Sequence, residues 1–325
     1  FADKKLIIIF VEVLSTTKQI NKKTYMLNFK RITPEDREIF ESFYPYKTIQ
    51  NCETSFANLC GWSFLFNGEY AIINGALVTR VHYELNKDIC YHCPIGQTDK
   101  VELVKLLIQD SIENNYTMRF ILDCKEVIQV HFKDEFEVED KREYYDYLYL
   151  RENLASLSGK KLQAKRNHCN KFEKLYNYEY REIKAENMEE CISFTKRWLN
   201  YKADINENPD LEGYRNELKV IEYFAEHFDS LGLIGGGLYV EGDLVAFTLG
   251  SKINNNTLNT HIEKANMEDY EGVYAMINRE FARHIPEEFI YINREEDLGV
   301  EGLRKAKLSY HPVKLIEKQI ATLIK

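Results

Sequence analysis

The stretch Tyr70-Ala71-Ile72-Ile73-Asn74-Gly75-Ala76-Leu77-Val78-Thr79-Arg80-Val81 decides the fold class. Two apolar, β-branched runs are separated by Asn-Gly, the dipeptide that most readily takes the positive φ needed at both centres of a type I′ turn. This predicts a hairpin. Working outward, Trp62 to Phe66 precedes a second Asn-Gly at Asn67-Gly68, the run after Asn74-Gly75 extends to Leu85, and Ile89 to Cys93 follows Asn86-Lys87-Asp88. The pattern predicts an antiparallel meander of up to four strands. A helix capped by Thr98, with Asp99 in its first turn, places Val101, Val104, Leu107 and Ile108 on one face. Met118 to Cys124 then reads as a buried strand.

The second half repeats this order in different letters. Tyr178 to Ile183 alternates like a strand, helices follow at about 187–203 and 211–228, and Gly235-Gly236-Gly237 opens a new sheet. Glu241-Gly242-Asp243 separates two strand-like runs, and Thr257 to Glu263 supplies the next strand. A helix at about 271–284, a strand Phe289 to Asn293, a helix 300–308 and an extended segment from Val313 complete the pattern. The fold class is therefore α/β in the α+β sense: two tandem units, residues 24–150 and 151–325, each a mainly antiparallel mixed sheet flanked by helices. A Rossmann fold is disfavoured, because no Gly-x-Gly-x-x-Gly follows the first strand and the Gly235 triplet enters a strand instead of a helix.

Composition narrows the class further. The 325 residues carry a net charge of −9, 44% hydrophobic and 29% charged residues, 6 Pro and 15 Gly, which excludes disordered, collagenous and disulfide-scaffold chains. The longest apolar run, Leu6 to Val11, falls well short of the ~18 residues that cross a bilayer, so no transmembrane segment is expected. Lys4-Lys5 before that run resembles a signal peptide only faintly, since Glu12 interrupts it and no small-residue cleavage site follows. Seven scattered cysteines in a large chain suggest a reducing, cytoplasmic compartment. The acidic balance argues against a general nucleic-acid coat but leaves room for a local phosphate-binding patch.

Cys90-Tyr91-His92-Cys93 has zinc-like spacing, yet four ligands are needed and no second such pair exists, so these cysteines read as packed apolar residues. No metal site is expected. Two other stretches carry more. Gly159 to Lys174 holds six cations and one acid, within which Lys161, Lys165, Arg166 and His168 lie inside about two helical turns. They suit an anionic partner; a merely solvated basic face is the competing reading. In Tyr291 to Pro312, Glu295, Glu296 and Asp297 stand at the mouth of a strand, Gly299 breaks the chain, and Arg304 and Lys307 share one helical face. That suits a polar site at a sheet end, or else charges that complement a helix dipole.

These two stretches, with Asp146-Tyr147-Leu148-Tyr149 and Leu154-Ala155-Ser156-Leu157-Ser158-Gly159, resemble bacterial proteins similar to the C-terminal domain of phosphatidylglycerol lysyltransferase. The pattern Leu-Ser-Gly-Lys-Lys, Lys-Arg-Asn-His, Asn-Arg-Glu, Asp-Leu-Gly, Leu-Arg-Lys-Ala-Lys and Tyr-x-Pro is shared, and the resemblance covers about residues 24 to 325. It implies two tandem GNAT-type acyltransferase folds. It also implies an acyl- or aminoacyltransferase that moves its group from a thioester or charged tRNA to an amine or hydroxyl acceptor, largely by positioning. The donor would be an acyl-CoA or an aminoacyl-tRNA. Of the superfamily's pyrophosphate turn only Gly272 fits, and Glu268, Asp269 and Glu271 oppose a pyrophosphate. The implied reaction centre joins Glu263 to Asn293, Glu296 and Asp297 where two strands part, with Arg304 and Lys307 holding the donor's anion and Tyr310 protonating the leaving group. Two competing readings stay open: a structural ion-pair network at the same residues, and a non-catalytic module for an anionic ligand such as tRNA, a nucleotide or a lipid headgroup.

Overall fold

The computed structural model describes residues 27–83, 88–121, 125–205 and 210–324. The expectations for residues 1–23, Leu85 and Cys124 lie outside them. Among the described residues fourteen strands are interspersed with helices: β1 (Lys30–Arg31), β2 (Glu69–Ile73), β3 (Ala76–Tyr83), β4 (Asp88–Tyr91), β5 (Thr117–Ile121), β6 (Phe136–Asp140) and β7 (Asp146–Leu150) in the first half. The second half holds β8 (Tyr178–Ile183), β9 (Leu233–Val240), β10 (Asp243–Asn254), β11 (Thr257–Ala265), β12 (Tyr291–Asn293), β13 (Lys314–Ile316) and β14 (Gln319–Leu323).

They form two seven-stranded sheets, ordered β1-β2-β3-β4-β5-β14-β6 and β8-β9-β10-β11-β12-β7-β13. Each sheet has three antiparallel junctions, then one parallel junction (β4 with β5, β11 with β12), then two antiparallel ones. The repeat of architecture is thus a repeat of junction order. In each sheet the sixth strand comes from the other half of the chain: β14 pairs with β5 and β6, and β7 pairs with β12 and β13. A boundary at residue 150 therefore leaves β7 with the first half in sequence and with the second sheet in space.

The Asn74-Gly75 turn has φ of 50° and 78° and joins β2 to β3 in the expected register. Asn67-Gly68 is used differently. Trp62 to Phe66 is not a strand but follows the helix Phe56–Gly61 into a short helix, Ser63–Phe66, which Asn67 ends in the left-handed conformation. Asn serves a helix C-cap as readily as a turn, and Phe56, Leu59 and Cys60 find a helical face to pack on. The helix after β4 is Lys100–Asn114, capped by Asp99 and not Thr98, with the Asp99 side chain accepting from the amides of Val101 and Glu102.

The largest core cluster spans both halves, packing Phe56, Leu59 and Leu77 with Phe224, Phe247, Leu249 and Ile262. A second lies on the other face of the second sheet, where Phe172 of the basic helix Gln163–Leu175 meets Tyr147, Met276 and Phe281. The second sheet is therefore covered on both faces.

Candidate functional site

β11 and β12 pair over only three positions, Thr257 with Tyr291, Leu258 with Ile292 and Asn259 with Asn293. β11 then runs on to Ala265 while β12 stops, so the two parallel strands part. At the same level β11 carries a bulge: Leu249 pairs with Ile262 and Gly250 with Thr260, leaving His261 as the extra residue. A bulge re-aims one side chain, and His261 joins Asn259 and Ser251 on the face of the shared core, while Glu263 keeps to the other. Past Asn293 the chain takes left-handed φ at Glu295 (57°) and Leu298 (51°) before Gly299. Non-glycine residues held there are uncommon and concentrate at functional sites.

This turn sends four consecutive charged side chains into four different networks. Arg294 donates to Glu263 at 2.7 Å, and Asn278 donates to the other carboxylate oxygen of Glu263 at 3.2 Å. The Arg294 guanidinium also lies 4.8 Å from the Tyr310 ring centre, and the Lys165 ammonium lies 4.2 Å from it. Burial and the charge of Arg294 lower the pKa of Lys165. The Nη1 of Arg294 is buried with no hydrogen-bond partner. Glu295 goes to the opposite face, where its Oε1 accepts from Asn58 (2.9 Å) and Asn259 (2.6 Å) and lies 3.3 Å from His261 Nδ1. His261 Nε2 in turn meets Ser251 Oγ at 2.8 Å. Burial works to raise the pKa of Glu295, but His261 and Asn58 bring it below the ordinary carboxylate value.

Glu296 turns toward the first half. It lies 3.3 Å from the Cys52 thiol and 3.9 Å from the Lys318 ammonium, in a buried cage completed by Glu53 and Asp146. Lys318 reaches Glu53 at 2.5 Å and Asp146 at 2.7 Å. Three carboxylates thus share one buried ammonium. Burial first, then Asp146 and Glu296 against the pull of Lys318, pushes Glu53 up to about 8. Cys52, Glu53 and Asp146 hold their ligand atoms within 4.8 Å of one another, a metal-like grouping into which the Lys318 ammonium projects.

Asp297 is fully buried. Arg304 grips it with two bonds of 2.8 Å, and Tyr147 (2.6 Å), Arg142 (3.2 Å) and the Gly299 amide (2.9 Å) complete its shell. These partners outweigh burial and hold its pKa far below the ordinary carboxylate range. Asp297 and Arg304 are thus paired with each other, which favours the reading of a structural ion-pair network over the one in which Asp297 reacts and Arg304 holds a donor anion. Lys307 is likewise spent, since its ammonium donates to the carbonyls of Arg294 (2.5 Å) and Glu296 (2.6 Å). Asn293 is buried, donates to Gln50 O and Asp146 at 2.7 and 2.8 Å, and accepts from the Glu295 amide, so its side-chain amide is engaged in fixing the turn. Glu296 and Glu263 do not converge.

Tyr310 is buried between Lys165 and Arg294, with its pKa pushed up by that burial. On the basic helix, Arg166 donates to the carbonyls of Leu157 (2.5 Å) and Gly159 (3.2 Å), which ties down the preceding turn. Lys161 and His168 are exposed. Gly272 has φ 86°, and a Cβ there would run into the His168 carbonyl. That glycine admits the basic helix against the turn and offers no open cradle for a pyrophosphate. Cys90 and Cys93 are buried, as is His92 between them, whose pKa burial pushes down to about 3. Cys93 is disulfide-bonded, so not every cysteine is the free thiol that the scattered spacing suggested.

Arg294, His261, Ser251 and Asn58 are missing from the sequence expectations. A signal existed for one of them: Asn259, His261 and Glu263 alternate as polar residues along the strand Thr257–Ala265. Asn58 had none, because it comes from the other half of the chain.

The junction order, the parted parallel strands and the polar turn between them define a protein with two GNAT-like sheets. A profile of the family "Phosphatidylglycerol lysyltransferase, C-terminal" matches residues 46–322, and the chain belongs to that family. A conserved protein of unknown function from Bacteroides thetaiotaomicron is 41% identical, with a TM-score of 0.86 over 92% of this chain and 100% of that one. L-PGS from Bacillus licheniformis shares the fold at 15% identity, with a TM-score of 0.62 over 90% of this chain and 92% of that one. An uncharacterised protein of Mycoplasmoides gallisepticum is 27% identical over 71% of this chain and 74% of its own length.

Proposed function

We propose that this chain transfers an acyl or aminoacyl group from a thioester or charged tRNA to an amine or hydroxyl, with the reacting carbonyl between β11 and β12. The observation that carries this reading is the parting of those strands beside a bulged histidine and a left-handed, hydrogen-bonded glutamate. Glu295 Oε1 takes the bonds from Asn58 and Asn259, which leaves Oε2 as the oxygen that accepts the acceptor's proton. As the acceptor nitrogen or oxygen bonds to the carbonyl carbon, its proton passes to Glu295, the bond to the donor's sulfur or oxygen breaks, and His261 steadies the carboxylate. Arg294, with Nη1 unpaired beside Lys165, supplies positive charge for the donor's anion or the developing oxyanion. Glu263 holds Arg294 in place. The exposed cations Lys161 and His168, with the partly exposed Lys165, offer an approach for a polyanionic donor.

The test supplies tRNA charged with labelled amino acids, and separately labelled acetyl-CoA, together with amines and phosphatidylglycerol vesicles as acceptors. Label should move to an acceptor, and Glu295→Gln should slow that movement by about a hundredfold or more. Glu295→Gln running at the unaltered rate would remove the mechanism. Tight binding of tRNA without any transfer would favour the second reading, a binding module, which the basic helix alone supports.

A further inference from the structure

The buried cage between the two halves holds a pair of groups that the transfer reading leaves unused, the Cys52 thiol and the Lys318 ammonium. Lys318 donates to Cys52 Sγ at 3.4 Å, and the thiol faces Asp146 Oδ1 and Glu296 Oε2, each at 3.3 Å. The Cys52 amide donates to Asp146 at 2.8 Å, which pins the start of the turn Cys52–Thr54. Lys318 lies in the short connector between β13 and β14, where the chain passes from the second sheet to the first. Sulfur and nitrogen are buried, yet the side chains of Glu53 and Glu296 are 24% and 23% exposed, so the cage meets water along two of its walls. A small neutral oxidant can enter there.

An ion-pair cage needs no sulfur. A thiol, an amine and proton-accepting carboxylates in mutual contact are the parts of an oxidative cross-link. We infer that hydrogen peroxide joins Cys52 to Lys318 through a sulfur–nitrogen bond, which staples the first half to the connector between the sheets. The thiol passes its proton to Glu296 and its sulfur attacks one peroxide oxygen. The O–O bond breaks and the other oxygen leaves with that proton as water, so sulfur is oxidised to a sulfenic acid and peroxide is reduced. Lys318 then gives a proton to Asp146, and its freed lone pair attacks the same sulfur. The S–O bond breaks, and the departing oxygen takes a proton from the new nitrogen as a second water. One thiol, one amine and one peroxide thus give one sulfenamide and two waters. Lysine's flexible four-carbon stem lets the nitrogen close the remaining distance. Burial, then Asp146 and Glu296, raise the pKa of the thiol; burial works to lower that of Lys318, but Asp146 and Cys52 raise it well above the ordinary value. Both protons are firmly held, so the reaction is slow. The product nitrogen carries no charge, so oxidation takes from Glu53, Asp146 and Glu296 the cation they share. The inference stands apart from the transfer reading.

The test treats the full chain with hydrogen peroxide at mildly alkaline pH for hours, digests it without thiols and weighs the peptides. A Cys52 peptide joined to a Lys318 peptide, lighter than their sum by two hydrogens, should become the main form of Cys52 and come apart in dithiothreitol. The same pair one oxygen heavier, in which a second peroxide has left its oxygen in the link, supports the same joining. Met267, at 62% exposure, reports the oxidant dose through its sulfoxide. Cys52 remaining a free thiol once Met267 is oxidised overturns the inference, and so does Cys52 carried as sulfenic or sulfinic acid beside a free Lys318. Lys318→Arg keeps a cation in the cage without an amine, so its Cys52 should stop at the sulfenic acid, trapped by dimedone, with the cross-link lost. If that variant does not fold, the parent chain decides alone.

Discussion

Changing Asp297 to Asn should unfold the protein more readily and should not act on chemistry. The carboxylate accepts from five donors: Oδ2 takes Arg304 Nε, Arg142 and Tyr147, and Oδ1 takes Arg304 Nη2 and the Gly299 amide. An amide in its place keeps one oxygen, best turned toward the three donors, and sets its NH₂ against the other two. Two lost charge-assisted or buried bonds at about 1.5 kcal/mol each give a loss of about 3 kcal/mol. Arg304 and Arg142 are each about a third exposed, so water can take up part of their charge, and the loss stays near the lower end of the ~3–5 kcal/mol typical of a broken buried pair. Thermal unfolding followed by circular dichroism should then show a midpoint lower by roughly 6–12 °C. The pH dependence has a definite sign. The folded pKa of Asp297 lies below its unfolded value, so its stabilisation is complete above about pH 4 and disappears as the pH falls further. The variant should therefore lose most at neutral pH and converge on the parent in acid. A midpoint unchanged within a degree, accompanied by lost transfer, would refute the structural reading and restore Asp297 to the reaction.

Glu53 runs the other way. Its pKa of about 8 lies above the ordinary 4.5, so the parent loses stability as pH rises between those values, and Glu53→Gln should flatten that decline in urea midpoints measured from pH 5 to 8. Lys318→Met leaves Glu53, Asp146 and Glu296 without their shared cation and should cost about 3–5 kcal/mol in the same assay at pH 7; an unchanged midpoint would mean the cage is solvated. Reversing the exposed cations Lys160 and Lys161 to Glu should weaken tRNA binding and reduce the slope of log K against log salt by about one to two, with no shift in melting. Gly272→Ala, which meets the His168 carbonyl at a left-handed φ, should lower stability by more than about 1 kcal/mol, read by chemical denaturation.

Most elements of the second half were legible, because Glu241-Gly242, the Gly235 triplet and the long amphipathic helices are governed by local rules that hold in the structure. Trp62 to Phe66 was misread, since Asn67-Gly68 suits two backbone outcomes and only the packing of Phe56 and Leu59 chooses between them. The site was legible as a place and not as a set of roles. Glu295, Glu296 and Asp297 are chemically alike in sequence; left-handed turns at Glu295 and Leu298 send them to His261, Lys318 and Arg304 respectively. Those partners lie 7 to 34 residues away on three different parts of the chain, a set that no single spacing rule picks out. Arg304 and Lys307 looked like an anion grip for the same reason, and their true partners are one carboxylate and two carbonyls.

The reciprocal placement of β7 and β14 has a consequence for how the chain is made. β5 and β6 leave the ribosome long before β14, which lies about 180 residues after β6 and, at roughly 5–20 residues per second, emerges some ten to forty seconds later. During that interval the first sheet has two open edges where its sixth strand belongs, a template for unwanted pairing. β7 waits in turn for β12 and β13, with its tyrosines unburied. Neither sheet can close without a piece of the other, so a nascent chain holds its two halves in mutual suspense and completes both at nearly the same moment.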